Sequence, residues 1–362
     1  MKKSIILLSL VILFSCTNSK NIRLKPENVQ IEKIDSSFLR PFNLTAVNNL
    51  LLLMAESEKG IIHLYDPIKQ RTVFEGFATG RGPDEMLGPS SVQIRQNGNV
   101  WIYDVVTRYF NHFNLSSDSL KFTDKIKMDL RIMSAYFISD TTIIALNLIE
   151  GNKGWVLLLD KNGNYKKSIV DYPANNDDLP APVFTESYQG RLSVKPDLQK
   201  FVIACRYADR LSIYDIKNNH ISTFRSDYPF EPTITVTQTP DFYIMGQSDE
   251  TKIGFPEISV SNDFVFALFS GKSRKTANPT FSDKVYQLTW TGELVNIYET
   301  DLSITDLCWS EFHNCLYVCA TDNNNFYLGK LVLSKNRYGP SKPLASPLVT
   351  SKVTSKLTNR LA

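Results

Sequence analysis

Long apolar runs are scarce in this 362-residue chain. The longest is residues 4–14 (SIILLSLVILF), too short to cross a hydrocarbon core as a helix, which takes about 20 residues. Net charge is also scant. The 40 Lys+Arg against 37 Asp+Glu leave +3, which argues against a nucleic-acid binder. The four histidines (His63, His112, His220, His313) are dispersed, and no Gly-x-Ser-x-Gly elbow occurs to seat a nucleophilic serine. No long stripe of period 3.6 marks an amphipathic helix. What the chain has in plenty is apolar and aromatic matter: 43% hydrophobic residues, with 21 Phe, 16 Tyr and 4 Trp. That excludes global disorder and leans toward strands, where rings fit a pleated, half-buried face.

The charge is uneven. Residues 1–15 carry +2 and residues 323–362 carry +7 without an acid, so the body, 16–322, holds −6. Lys2 and Lys3 open a positive segment, the 4–14 run follows, and Leu13-Phe14-Ser15-Cys16 ends it. This is the layout of a secretory signal. Its end resembles a bacterial lipobox, although Phe14 is bulkier than the usual residue there. The resemblance implies cleavage before Cys16, acylation of that cysteine and two or three acyl chains, enough for stable anchoring. The alternative is an ordinary secretory signal with a chance cysteine. Thr17 in place of Asp, and no acidic pair after Cys16, favour the outer membrane and its periplasmic side. Residues 16–26 form a polar tether, and 338–362, rich in Ser, Thr, Pro and Lys, reads as a mobile basic tail.

Between them lies a repeat. Each unit is an apolar strand, a polar gap, a second strand ending in Asp or a stand-in, a polar turn and a third strand. The end-of-strand positions are Asp66, Asn114, Asp160, Asp215, Trp290 and roughly Val332. A shorter strand precedes most copies: SSVQI (90–94), SAYFIS (134–139), RLSVKP (191–196), PEISVS (256–261) and TDLCWS (305–310). Six copies of four strands predict an all-β fold, a six-bladed β-propeller with four-stranded blades, as a single domain over 27–337. Segment 27–36 supplies a strand to the last blade, and an insertion falls at about 228–249. The recurring Asp residues read as turn formers rather than calcium ligands.

Residues 80–86 (GRGPDEM) form the most distinctive loop; Gly80 and Gly82 permit positive φ there. It lacks the Gly-Lys-Ser/Thr ending of a P-loop. This loop resembles the G-x-G-P-x-E loop of TolB-like six-bladed propeller lipoproteins. Residues 256–271, 285–298 and 314–320 resemble their late blades, so the likeness spans roughly 40–335. It implies a propeller lipoprotein with no assigned reaction, and no catalytic residue carries over. Cys205, Cys308, Cys315 and Cys319 read as buried free thiols, with one disulfide as the alternative if a hairpin turning near Glu311-Phe312 sets Cys308 opposite Cys315. Zinc finds only His313 near them.

The gaps between second and third strands share one face of the disc. Arg81, Asp84 and Glu85 of the distinctive loop, with Arg108, Arg206 and Tyr207 of those gaps, are the candidate ligand contacts, against the plainer reading of a solvated rim. No catalytic residue, metal or cofactor is expected. The leading expectation is a monomeric, lipid-anchored binding module for a glycan, a peptide or an envelope protein. A scaffold or sensor in an envelope complex is a variant of it. The rival is a propeller enzyme acting on sugars (a lactonase, glycosidase or lyase), which requires convergent carboxylates or a metal at the axial channel.

Overall fold

A computed structural model of the chain describes residues 24–333 apart from 96–97, 151–152, 175–177 and 323. The signal segment 1–15, the lipidation site Cys16, the tether as far as residue 23 and the basic tail 338–362 lie outside the described residues.

The chain enters through β1 (Glu27–Val29) and β2 (Ile31–Asp35). Blade 1 is β3 (Phe42–Val47), β4 (Leu50–Met54), β5 (Ile62–Asp66) and β6 (Arg71–Gly76). Blade 2 is β7 (Pro89–Ile94), β8 (Asn99–Asp104), β9 (Tyr109–Leu115) and β10 (Leu120–Lys127). Blade 3 is β11 (Ile132–Phe137), β12 (Thr142–Asn147), β13 (Val156–Asp160) and β14 (Tyr165–Val170). A short helix, α1 (Ala181–Ser187), leads to blade 4: β15 (Gly190–Val194), β16 (Lys200–Cys205), β17 (Leu211–Asp215) and β18 (His220–Phe224). The insertion is a separate two-stranded hairpin, β19 (Thr235–Gln238) and β20 (Tyr243–Gly246). Blade 5 follows as β21 (Glu257–Val260), β22 (Phe264–Phe269), β23 (Ser282–Thr289) and the first part of β24 (Leu294–Ser310).

The 17-residue β24 does not stop at the blade boundary. Its first part pairs with β23 and its last part, 303–310, with β25 (Cys315–Thr321). Blades 5 and 6 therefore form one eight-stranded sheet beside four separate four-stranded ones. Blade 6 continues through β25 to β26 (Phe326–Leu331) and is completed by β2, which pairs antiparallel with β26. β1 pairs parallel with β24 at Glu27–Tyr298. The N-terminal strand β2 is thus the outermost strand of the last blade, and the circle of six blades is closed.

The apolar runs follow from this arrangement. A middle strand is covered on both faces by neighbouring blades, so β4 (LLLLM) and β5 (IHLYD) are buried at every position. Outer strands meet solvent, so β10 (LKFTDKIK) is largely polar. Apolar clusters fill the wedges between blades. Trp101, Phe110 and Phe137 join blades 2 and 3, and Phe255, Tyr286 and Ile213 join blades 4 and 5. Phe266 stacks on Trp309 at 5.2 Å between blades 5 and 6.

The innermost strands lie too far apart to pair with each other, and side chains bridge them. Asn43 Nδ2 donates to Pro89 O at 2.6 Å. Gln93 Nε2 donates to Phe137 O and Gln93 Oε1 accepts from Phe137 N, both at 2.8 Å. Tyr136 sits against Ser193, Arg191 pairs with Glu257, Trp309 N donates to Ser259 Oγ at 2.8 Å and Leu44 N donates to Asp306 Oδ2 at 3.0 Å. Every blade interface has such a bridge.

Three details refine the sequence reading. Asp66, Asp160 and Asp215 accept backbone N–H bonds from the residues of their own turns. Those bonds hold Asp66 below the usual carboxylate range, and the side-chain amides of Asn164 and Asn219, with such bonds, do the same for Asp160 and Asp215. Gly80 and Gly82 do not use positive φ. A Cβ on Gly80 would fall 2.1 Å from Glu85 Oε2, so a larger residue there would displace the Glu85 carboxylate from its seat on the loop. The hairpin after β24 turns through residues 311–314, which sets Cys308 opposite Tyr317 and Cys315 opposite Ser310. All four described cysteines are free thiols, and burial pushes Cys308 and Cys319 well above their ordinary value.

Gln93 supplies by side chain what a neighbouring strand would supply by backbone. Gln93→Ala leaves the N–H and C=O of Phe137 unpaired, and urea unfolding is expected to show a loss of about 1–3 kcal/mol with an unchanged m-value.

Candidate ligand-binding channel

Strands are antiparallel within each blade, so chain connections alternate between two faces. One face carries the turns from second to third strands together with the blade-to-blade connectors. This connector face holds the 80–86 loop, α1 and the β19–β20 hairpin.

Two cavities lie along the axis. The one toward the connector face has a volume of about 290 Å³ and is walled by the first residues of the inner strands together with Gln189 and Arg206. The second, about 310 Å³, continues along the inner strands as far as Ile94, Lys195 and Val260. Asn43, Ser90, Arg191, Glu257 and Asp306 border both. They mark the boundary between an upper well and a lower channel.

At this level each inner strand contributes the equivalent residue: Asn43, Ser90, Met133, Arg191, Glu257 and Asp306. Arg191 crosses the axis. Its Nη2 lies 2.9 Å from Glu257 Oε2, and its Nη1 donates to Ser90 O at 3.3 Å. Glu257 holds the guanidinium charged more firmly still, raising it above its ordinary value against the cost of burial. Asp306 is 4% exposed and accepts from two backbone N–H groups, Leu44 and Leu307. Burial pushes it up to about 8, Glu257 adds to the rise, and the Leu44 N–H and Arg191 pull the other way. Two carboxyl groups, Glu257 and Asp306, thus stand beside one guanidinium in this layer. Tyr136, below this layer, is pushed up to about 12 by burial.

Of the residues singled out in the sequence, Arg206 lines the upper well. Its backbone is fixed from both sides: its N donates to Gln189 O at 2.9 Å and its O accepts from Gly254 N at 2.7 Å. Tyr207 stands beside it but is buried with Val183, Met245 and Ile253. Its hydroxyl accepts from Gln247 Nε2 at 2.6 Å, so its work is to seat the inserted segment. The other four residues border neither cavity. Arg81 and Asp84 are exposed on their loop. Glu85 folds back onto Gly82 N at 2.6 Å, and Lys125 Nζ holds the same loop through Pro83 O at 2.9 Å. Arg108 sits at positive φ in the turn organised by Asp104. All six share the connector face, and the structure brings only Arg206 to the axis.

Sequence reasoning missed Arg191, Glu257 and Asp306, although each lies inside a segment already read as an inner strand. The signal was a charged residue in the same place in three copies (RLSV, EISV, DLCW), where the other copies carry Asn43, Ser90 and Met133.

A carboxyl group raised in the folded state binds its proton more tightly there than in the unfolded chain. Its contribution is fully present below the ordinary value of 3.8 and is lost as pH rises toward about 8. Asp306→Asn removes that dependence and forfeits one acceptor, at a cost of about 1–3 kcal/mol. Urea unfolding across this window is expected to show wild type losing stability relative to the variant as pH rises. Parallel curves would refute the buried, protonated Asp306.

A family model for TolB-like six-blade propellers matches residues 18–312. Comparison with curated proteins finds no match. Among solved structures, a member of the DUF4221 family from Bacteroides vulgatus superposes with a TM-score of 0.56 at 12% identity, over 85% of this chain and 97% of that one. A putative exported protein from Bacteroides fragilis superposes with a TM-score of 0.50 at 11% identity, over 85% of this chain and 95% of that one. At such identities the two superpositions speak for the fold alone. With the family model covering most of the chain, and six blades closed by an N-terminal strand, this chain belongs to the TolB-like six-blade propeller family.

Proposed function

We propose that the chain is a binding module of the cell envelope, tethered by acyl chains on Cys16, that meets a peptide or protein partner with its connector face. One observation carries this reading: the β19–β20 hairpin exposes four apolar side chains, Val236 and Tyr243 on one face, Ile244 on the other and Phe242 in its turn, with Phe242 58% exposed. Apolar side chains grouped in this way mark interaction surfaces. The hairpin pairs with no other strand among the described residues, so each of its strands keeps an edge that an extended segment can join. Tyr207, Met245 and the Gln247 amide fix its base to the propeller. The envelope location rests on the 4–14 run and Cys16, and the likeness to the putative exported protein from Bacteroides fragilis is in keeping with it.

A second reading, a propeller enzyme acting on sugars, draws on Glu257 and Asp306 facing one well beside Arg191. Turnover of glycans or lactones that disappears in Glu257→Gln would favour it over the binding module.

Two measurements test the proposal. Cys16→Ser is expected to abolish incorporation of labelled palmitate and release the protein from membranes. Labelling that persists would remove the tether from the reading. In cells carrying the anchored protein, site-specific crosslinking from the hairpin is expected to capture a defined partner. Phe242→Asp with Ile244→Asp should lose that capture, while the melting temperature moves little because both side chains are exposed and neither belongs to a core cluster. Crosslinks that survive the double substitution, or that never form, overturn the hairpin as the contact.

A further inference from the structure

We infer that the axial well on the connector face is a binding site for a small organic monocarboxylate, with Arg206 as the cation that receives it. The inference names a ligand class for the face proposed above to bind partners, and rests on that reading only in sharing the face.

Charge balance within the well is the first ground. Arg191 is matched by Glu257 at 2.9 Å, and Asp306 spends both oxygens on the N–H groups of Leu44 and Leu307. Arg206 has no such match. Its guanidinium forms no ion pair or side-chain hydrogen bond with any described residue, and lies 6.0 Å from the centre of the Tyr207 ring. Two guanidinium groups thus line a well that holds two carboxyl groups. Burial and Glu257 push one of these, Asp306, up to about 8, while the Leu44 N–H and Arg191 pull it down. Arg206 is thus the guanidinium of the well that has no carboxylate beside it.

Shape is the second ground. The well holds about 290 Å³, at the small end of ligand pockets, which run from roughly 300 to 1,000 Å³. Its wall mixes apolar side chains (Phe42, Met133, Val105) with the hydrogen-bonding groups of Asn43, Gln189 and Thr305. A compact body with an apolar side and a hydroxyl or amide suits that wall. The planar fork of Arg206 suits a carboxylate, which it can engage through two parallel N–H bonds. A single unmatched guanidinium favours a monoanion over a phosphate dianion. Arg206 is also pre-positioned: both polar groups of its backbone are held, so its side chain is delivered to the well by a rigid turn.

Calorimetry on the full-length protein, near neutral pH and at low salt, tests this with D-glucuronate and N-acetyl-leucine as probes. Their neutral methyl esters and inorganic phosphate are the comparisons. Saturable binding of at least one carboxylate is expected. Arg206→Gln should weaken it about tenfold or more, and Arg206→Lys should restore part of it. Arg81→Gln, an exposed arginine on the same face, should leave it unchanged. Thermal melts of Arg206→Gln should match wild type, since the side chain has no polar partner to lose. No binding of either probe at about 10 mM, binding indifferent to Arg206→Gln, or ester or phosphate binding as tightly as the carboxylate would each overturn the inference. None of these outcomes touches the hairpin crosslink. Loss of the crosslink leaves the anion measurement intact.

Discussion

The structure depends on how six strand edges meet around an axis. A blade widens outward, so its innermost strand faces its neighbours across a gap that backbone hydrogen bonds cannot span. Left alone, each inner edge would present unpaired N–H and C=O groups to a partly buried channel, at a cost for every group. The chain answers with side chains at every interface: amides of Asn43 and Gln93, hydroxyls of Ser259 and Tyr136, the carboxyl of Asp306, and the Arg191–Glu257 pair. Gln93 is the clearest case, since its one amide gives and receives as a residue on a paired strand does. These bridges fix the spacing of the inner strands, and hence the width of the well that the same residues line.

The two ends of the axis then differ in character. The face opposite the connectors is made of short hairpins, whereas the connector face has gathered the long excursions of the described chain, among them the 80–86 loop, α1, the β19–β20 hairpin and residues 270–281. A rigid ring with variable loops on one side is a common division of labour, because loops change without disturbing the core. Here the insertion is fastened down at Tyr207, next to the arginine that reaches the well. A contact on the hairpin and a ligand at the axis would therefore be separated by one turn of blade 4.

The blades were legible in the sequence because the middle strands are covered twice. Runs such as LLLLM and FVIAC admit no polar face, and that constraint repeats with the architecture. The inner strands were legible as segments, and the end-of-strand Asp residues as turns. The charged residues at the axis were not singled out. Arg191, Glu257 and Asp306 are far apart in the chain and unremarkable locally, and only ring closure makes them neighbours. Arg81 and Asp84 drew attention through an unusual loop, yet the loop's composition answers to its own closure by Glu85 and Lys125. Cysteine register failed for a local reason: four residues, 311–314, make the turn, and a shift there moves every facing pair along the ladder.

The closing strand has a mechanical consequence. β2 is the ring's last outer strand and also the first long strand after the N-terminal segment, so a pull on that segment reaches the propeller through it. The load would run along the strand, in shear against β26, with β1 sharing it through its ladder to β24. Hydrogen bonds pulled along a ladder resist together, whereas those peeled from an end yield one at a time. Ile31 N is tied in addition to Asp301 at 3.1 Å, close to the place where β24 passes from blade 5 to blade 6. Tension entering at the N-terminus is thereby spread over two blades that share a continuous strand, at the seam where a closed ring would otherwise open first.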